Sequence, residues 1–201
     1  MDTFWQSLIM TFVPLFIVVD ALGNLPIVIS LTEGTIQKER YRIIHIASVS
    51  ALVVGLVFLF FGQFILKVLS ISVGSFAIAG GIIILILSIK HMLTGKMVEA
   101  QREEMIAIVP IGTPLVVGPA TITSLLVLAN QYPLYVVLLS FVLNVVISWG
   151  IFMLSGYIVK LIRPAGLKVI SKVFSLLLAA IAVNMIVHGL SLSSILKVAG
   201  Q

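Results

Sequence analysis

An apolar run from Phe4 to Leu31 is interrupted near its middle by Asp20-Ala21-Leu22-Gly23-Asn24-Leu25-Pro26. The run is long enough to cross a bilayer, since a span needs roughly 20 apolar residues at about 1.5 Å each. Its centre falls near Ile17 and Val18. Asp20 therefore sits within about one helical turn of the midplane, where a carboxylate costs about 2.5–3.5 kcal/mol on insertion scales. Pro26 adds a lost helical hydrogen bond and a clash with the preceding turn. A segment that only had to cross lipid would carry none of these residues, so the stretch reads as a site.

Five further apolar spans follow, at about 43–66, 71–93, 105–129, 134–162 and 169–190. Only 9% of the 201 residues are charged, against about 25% in soluble domains. The chain therefore reads as an all-α integral membrane protein with six transmembrane helices. With no cysteine, disulfides, thiolate metal sites and iron–sulfur clusters are excluded. The net charge of +5 does not point to nucleic acid, because the basic residues gather on one side of the spans. Lys38, Arg40, Arg42, Lys90, Lys96, Arg102, Lys160, Arg163, Lys168 and Lys172 follow spans one, three and five, leaving Lys67 and Lys197 opposite. That asymmetry places the first group in the cytoplasm and both termini outside. The first residues lack a basic stretch and a small-residue cleavage site, so no secretory signal is expected.

The fourth span repeats the oddity of the first. Pro110, Pro114 and Pro119 with Gly112 and Gly118 preclude one unbroken helix, and Gly118-Pro119 falls at mid-depth. Pro14 and Pro110, Gly23 and Gly118, and Gly95 and Gly189 are 94–96 residues apart. The chain thus divides into a first repeat, 1–95 (spans one to three), and a second, 96–201 (spans four to six). With three spans in each, the second repeat enters from the opposite face. This is the pattern of an inverted-repeat transporter whose site lies between two discontinuous helices. Backbone groups freed at such breaks are tolerable only against a polar ligand, an ion or water. Half-helix N-termini suit a carboxylate, while Asp20 and freed carbonyls suit an ammonium group, H⁺ or Na⁺. The candidate substrate-binding set is Asp20, Gly23, Asn24, Gly118, Pro119, Thr121, Thr123 and Asn144.

Other polar and small residues have plainer readings. Ser48, Ala51, Gly55 and Gly62 share one side of span two, and Gly74, Ala77 and Gly81 one side of span three. Such stripes let helices approach closely in lipid. Ser140, Asn144, Ser148 and Ser155 form a stripe on span five that is either an interhelical hydrogen-bond ladder or the lining of a substrate path. His45 and His188 lack a partner at ligand spacing, so no metal site is expected. Nothing resembles a nucleophile–base pair or a phosphate loop, and no enzymatic activity is expected.

Three stretches together resemble signature motifs of the MarC family of six-span prokaryotic membrane proteins. They are Asp20-Ala21-Leu22-Gly23-Asn24-Leu25-Pro26, Ile78-Ala79-Gly80-Gly81-Ile82 and Pro114-Leu115-Val116-Val117-Gly118-Pro119-Ala120. The resemblance covers nearly the whole chain. It implies an inner-membrane transporter of small neutral amino acids of the glycine and alanine class, as described for archaeal relatives, with no cofactor beyond a coupling H⁺ or Na⁺. The family pattern has Pro after the aspartate where this chain has Ala21, and often Gly-Pro-Gly where it has Gly118-Pro119-Ala120. The departure at Ala21 implies a gentler break in the first helix. An exporter or channel for another small solute, and a non-transporting membrane protein, are the alternatives. The lipid bilayer is the one macroscopic partner, nucleic acid is not, and a homo-oligomer is compatible with the sequence.

Overall fold

A computed structural model describes residues 4–32, 34–94 and 117–193. These form seven helices: α1 (Phe4–Val19), α2 (Leu25–Thr32), α3 (Gln37–Val68), α4 (Val73–Thr94), α5 (Pro119–Gln131), α6 (Leu134–Met153) and α7 (Ser155–Leu192). Residues 105–116, the first half of the fourth span with Pro110, Gly112 and Pro114, lie outside the described residues, as do Lys96, Arg102 and Lys197.

Four helical stretches are long and apolar enough to cross a membrane: Gln37–Val68, Val73–Leu93, Leu134–Met153 and Val169–Leu192. The apolar helices Phe4–Val19 and Ala120–Gln131 are shorter, and these belong to the two spans interrupted by Gly and Pro. The first run is not one gently bent helix but two helices separated by residues 20–24. Asp20 takes a left-handed conformation (φ 44°), which ends α1 without help from a proline at position 21. A short polar side chain that can bond its own turn tolerates that conformation better than most.

Local chemistry sets the other ends. Ser70 is also left-handed (φ 56°). The amides of Ser70 and Ile71 close on the carbonyls of Lys67 and Leu66, ending α3 in a Schellman turn. α5 begins with Pro at its first position after extended Gly118, where the missing N–H matters least. It stops at Tyr132, held extended before Pro133.

One boundary differs from the sequence reading. Span five does not run from Leu134 to Ile162. α6 ends at Met153, Leu154 alone forms the joint, and α7 continues from Ser155 through the expected loop at 163–168. Around the joint, Ser155 and Gly156 are the sole non-apolar residues between Ile151 and Val159 apart from Tyr157, so hydropathy marks it only faintly. The cause is polar: Ser155 bonds the Phe152 carbonyl and receives the Arg40 guanidinium from the start of α3.

The helices pair in defined directions. Gly74 lies against Gly189 and Gly81 against Ala182, so α4 and α7 run antiparallel with their backbones touching. Further along this seam, His91 bonds Ser175 at 2.9 Å. Gly55 receives the Phe141 ring, and Trp149 donates to His45 Nδ1 at 3.1 Å, so α3 and α6 are antiparallel too. α1 runs parallel to α6, with Phe4 stacked on Tyr135 and Thr11 bonded to Ser140. α5 packs among α1, α3 and α4, its Leu126 against Gly62 and its Thr123 against Gly80. The small-residue stripes of spans two and three thus face neighbouring helices.

Candidate functional site

The break after α1 closes largely on itself. The Gly23 amide donates to Asp20 Oδ1 at 3.0 Å, and the Asn24 amide to the Asp20 carbonyl at 3.0 Å. The Asn24 side chain turns back to the Val19 carbonyl at 3.1 Å. A helix end in hydrocarbon must satisfy its freed backbone groups, and these contacts do so from within the turn. One group is left over. Asp20 is fully buried, and among the described residues its Oδ2 has no partner. A carboxylate oxygen at this depth calls for a proton, an ammonium group or a metal cation.

Gly23 makes this arrangement sterically possible. A Cβ there would lie 2.1 Å from Asp20 Oδ2 and 2.6 Å from its Cγ. Gly23→Ala is expected to swing the carboxylate off its amide and to destabilise the fold by about 1–3 kcal/mol, the usual range for overpacking. In an Asp20→Ala background the same change should be nearly silent. A double-mutant cycle by thermal denaturation in detergent checks that coupling.

Residues beside the two interruptions enter the same buried clusters. Val19, Ala21 and Leu25 share one buried cluster with Val117 and Leu125. Val18 shares another with Val127 of α5 and Ala77 of α4, and Ile17 and Ala120 pack against it. Among the described residues, no atom lies within 4 Å of where a Gly118 side chain would begin. Pro119 supplies the first residue of α5. Thr121 and Thr123, one turn or less into the helix, are both buried.

Asn144 belongs elsewhere. Its amide nitrogen donates to the Phe12 carbonyl at 3.2 Å and to the Ser140 carbonyl at 2.8 Å. Phe12 precedes Asp20 by eight residues, about 12 Å along α1 at about 1.5 Å per residue. Asn144 thus ties α6 to the middle of α1 rather than to the break. Ser140 and Ser148 join the same ladder, Ser148 donating to the Asn144 carbonyl at 2.7 Å. Sequence reasoning passed over Thr11, whose hydroxyl meets Ser140 Oγ at 2.6 Å. Its four-residue spacing from Ser7 was the available signal. It also passed over Arg40–Ser155 and His91–Ser175, where partners from distant helices carry no local pattern. Among the described residues, no three of His, Cys, Asp or Glu come together in a way that could hold a metal.

Comparison with known proteins agrees with this architecture. The family model described as "MarC family integral membrane protein" matches residues 5–193. UPF0056 membrane protein MJ1677 of Methanocaldococcus jannaschii is 32% identical over 92% of this chain and 96% of its own length. UPF0056 membrane protein YhcE of Escherichia coli is 31% identical over 89% of each chain. UPF0056 inner membrane protein YhgN of Escherichia coli is 33% identical over 92% of this chain and 96% of its own. No solved structure matches. A multi-pass helical bundle matched by the family model over nearly its whole length, this chain belongs to the MarC family of integral membrane proteins.

Proposed function

We propose that the chain is a secondary transporter of small neutral amino acids of the glycine and alanine class. The observation that carries this reading is the fully buried Asp20 carboxylate, with one oxygen unpartnered, at a helix break inside a membrane span. Asp20 Oδ2 takes the substrate ammonium or a coupling H⁺ or Na⁺. The substrate carboxylate lies toward the start of α5, where Gly118 leaves space and the first-turn amides of a helix favour an anion.

The helix pairing supports two inverted repeats. α3 pairs with α6 and α4 with α7, each pair antiparallel. A two-fold axis in the membrane plane relates the corresponding helices of two halves in that way. Alternating access is then rocking of one repeat against the other about the two breaks. The Arg40–Ser155 contact sets the starts of α3 and α7 together at the end rich in Lys and Arg, which the charge rule assigns to the cytoplasm.

Counterflow of radiolabelled amino acids in proteoliposomes, scanned over each common amino acid, tests the proposal. Exchange stimulated by glycine or alanine on the far side is expected, and a channel would give no such stimulation. Gly118→Leu gives a sharper check. Gly118 is not left-handed, and among the described residues no atom lies within 4 Å of a Cβ there, so the variant should fold while its side chain fills the substrate space. Exchange is expected to fall by at least about ten-fold, the equivalent of about 1.4 kcal/mol. Unchanged exchange would move the substrate away from α5.

A further inference from the structure

We propose that the polar row between α1, α3 and α6 is a water-occupied path, carrying protons between Asp20 and the face of the bilayer at which α1 begins. The use of the proton rests on the transport reading; the path itself does not.

The row starts from a fixed amide. Both hydrogens of Asn144 Nδ2 point at carbonyls, those of Phe12 and Ser140. Flipping the amide would set its oxygen against two acceptors, so the orientation is forced. Asn144 Oδ1 is left buried and without a protein partner. The nearby Ser148 hydroxyl gives its proton to the Asn144 carbonyl, so it too faces outward as an acceptor.

The opposite wall is α3. Gly55 sits against Phe141, His45 against Trp149 and Arg40 against Ser155. That register sets Ser48 across from Ser148 and one turn from Asn144. Ser48 Oγ is likewise buried without a protein partner. Two lone acceptors and a hydroxyl around one seam leave each polar group short of a hydrogen bond, a loss of about 1–3 kcal/mol for every buried group. Water fits all three: it donates to Asn144 Oδ1 and Ser148 Oγ and accepts from Ser48.

The seam is not isolated. Toward the start of α1, Ser140 meets Thr11, which bonds the Ser7 carbonyl at 2.9 Å. Toward Asp20, Ser148 covers about 6 Å of the roughly 12 Å between the Phe12 level and the aspartate. About two waters at about 2.8 Å each span the rest. A proton leaves a hydronium in the path and bonds to Asp20 Oδ2, the oxygen that Gly23 does not engage, with water left behind.

The chain has no cysteine, so single thiols report wetness directly. Ser48→Cys and Ser148→Cys are reconstituted in proteoliposomes and exposed to silver ion, which is small enough to follow water in a narrow file. Modification is read as lost maleimide labelling after denaturation. Ala77→Cys, in the packed apolar cluster of α4, and Val53→Cys, half exposed on the outer side of α3, are the dry references. Thiols in water react as thiolates, and both seam variants are expected to react at least about ten-fold faster than the references. The side of entry should match that of Trp5→Cys, at the exposed start of α1.

Rates equal to those of Ala77→Cys would make the row a dry ladder and overturn the proposal. Entry only from the opposite side would overturn its direction. Ser48 makes no protein hydrogen bond, so Ser48→Cys decides the matter if Ser148→Cys fails to fold. The assay needs no solute. Fast labelling without amino-acid counterflow would keep the path and reject the transport reading.

Discussion

Asp20→Asn is expected to lower coupled uptake sharply while leaving the bundle folded. The amide keeps the carboxylate's shape, and its oxygen can still accept the Gly23 N–H in place of Oδ1. What it removes is the charge on the buried carboxylate oxygen for which the described residues supply no partner. A hydrogen bond to a charged group contributes about 1.5–3 kcal/mol, so uptake at low substrate should fall by about ten- to a hundred-fold. Size-exclusion profile and melting temperature should stay close to those of the unaltered protein. Removing an unpaired carboxylate from the membrane interior relieves a cost rather than adding one. Gradient-driven uptake in proteoliposomes is the measurement. Flux equal to that of the unaltered protein would take Asp20 out of the mechanism, and loss of folding would make it a structural residue.

Gly189→Val is expected to have the largest effect on stability. A Cβ at Gly189 would lie 2.6 Å from the Gly74 carbonyl oxygen and 3.0 Å from the Ile78 nitrogen. Both are backbone atoms, so no rotamer change relieves the clash, and α4 and α7 would have to separate. In lipid no hydrophobic force pulls helices together, and close backbone packing carries the association. The loss should reach or exceed the upper end of the usual overpacking range, about 3 kcal/mol. Thermal denaturation in detergent checks it, with Gly150→Ala as the reference. Among the described residues no atom lies within 4 Å of a Cβ at Gly150, so that change should be neutral or stabilising by up to about 1 kcal/mol through helix propensity.

The first break was readable because three unfavourable choices coincide: a carboxylate, a glycine and a proline in one apolar run. Packing stripes were readable for a similar reason, since Gly74 and Gly81 repeat at seven residues and face α7 in the fold. The depth of the break was not, because it depends on Asp20 turning left-handed rather than on a proline at position 21. Nor was the joint at Leu154, which a serine and an arginine from a distant helix fix within a largely apolar sequence. Asn144 shows the limit of reading polarity as a site. Its depth along span five resembles that of the breaks, but its hydrogen bond to α1 meets the backbone at Phe12, two turns before Asp20.

The turn at residues 20–24 also bears on how firmly a cargo can be held. Asn24 already caps Val19 and Gly23 already engages Oδ1, so the turn meets much of its own hydrogen-bonding demand. The same thrift leaves a visitor a single anionic handle. On the proposed transport reading, grip of that kind is loose and favours turnover over storage.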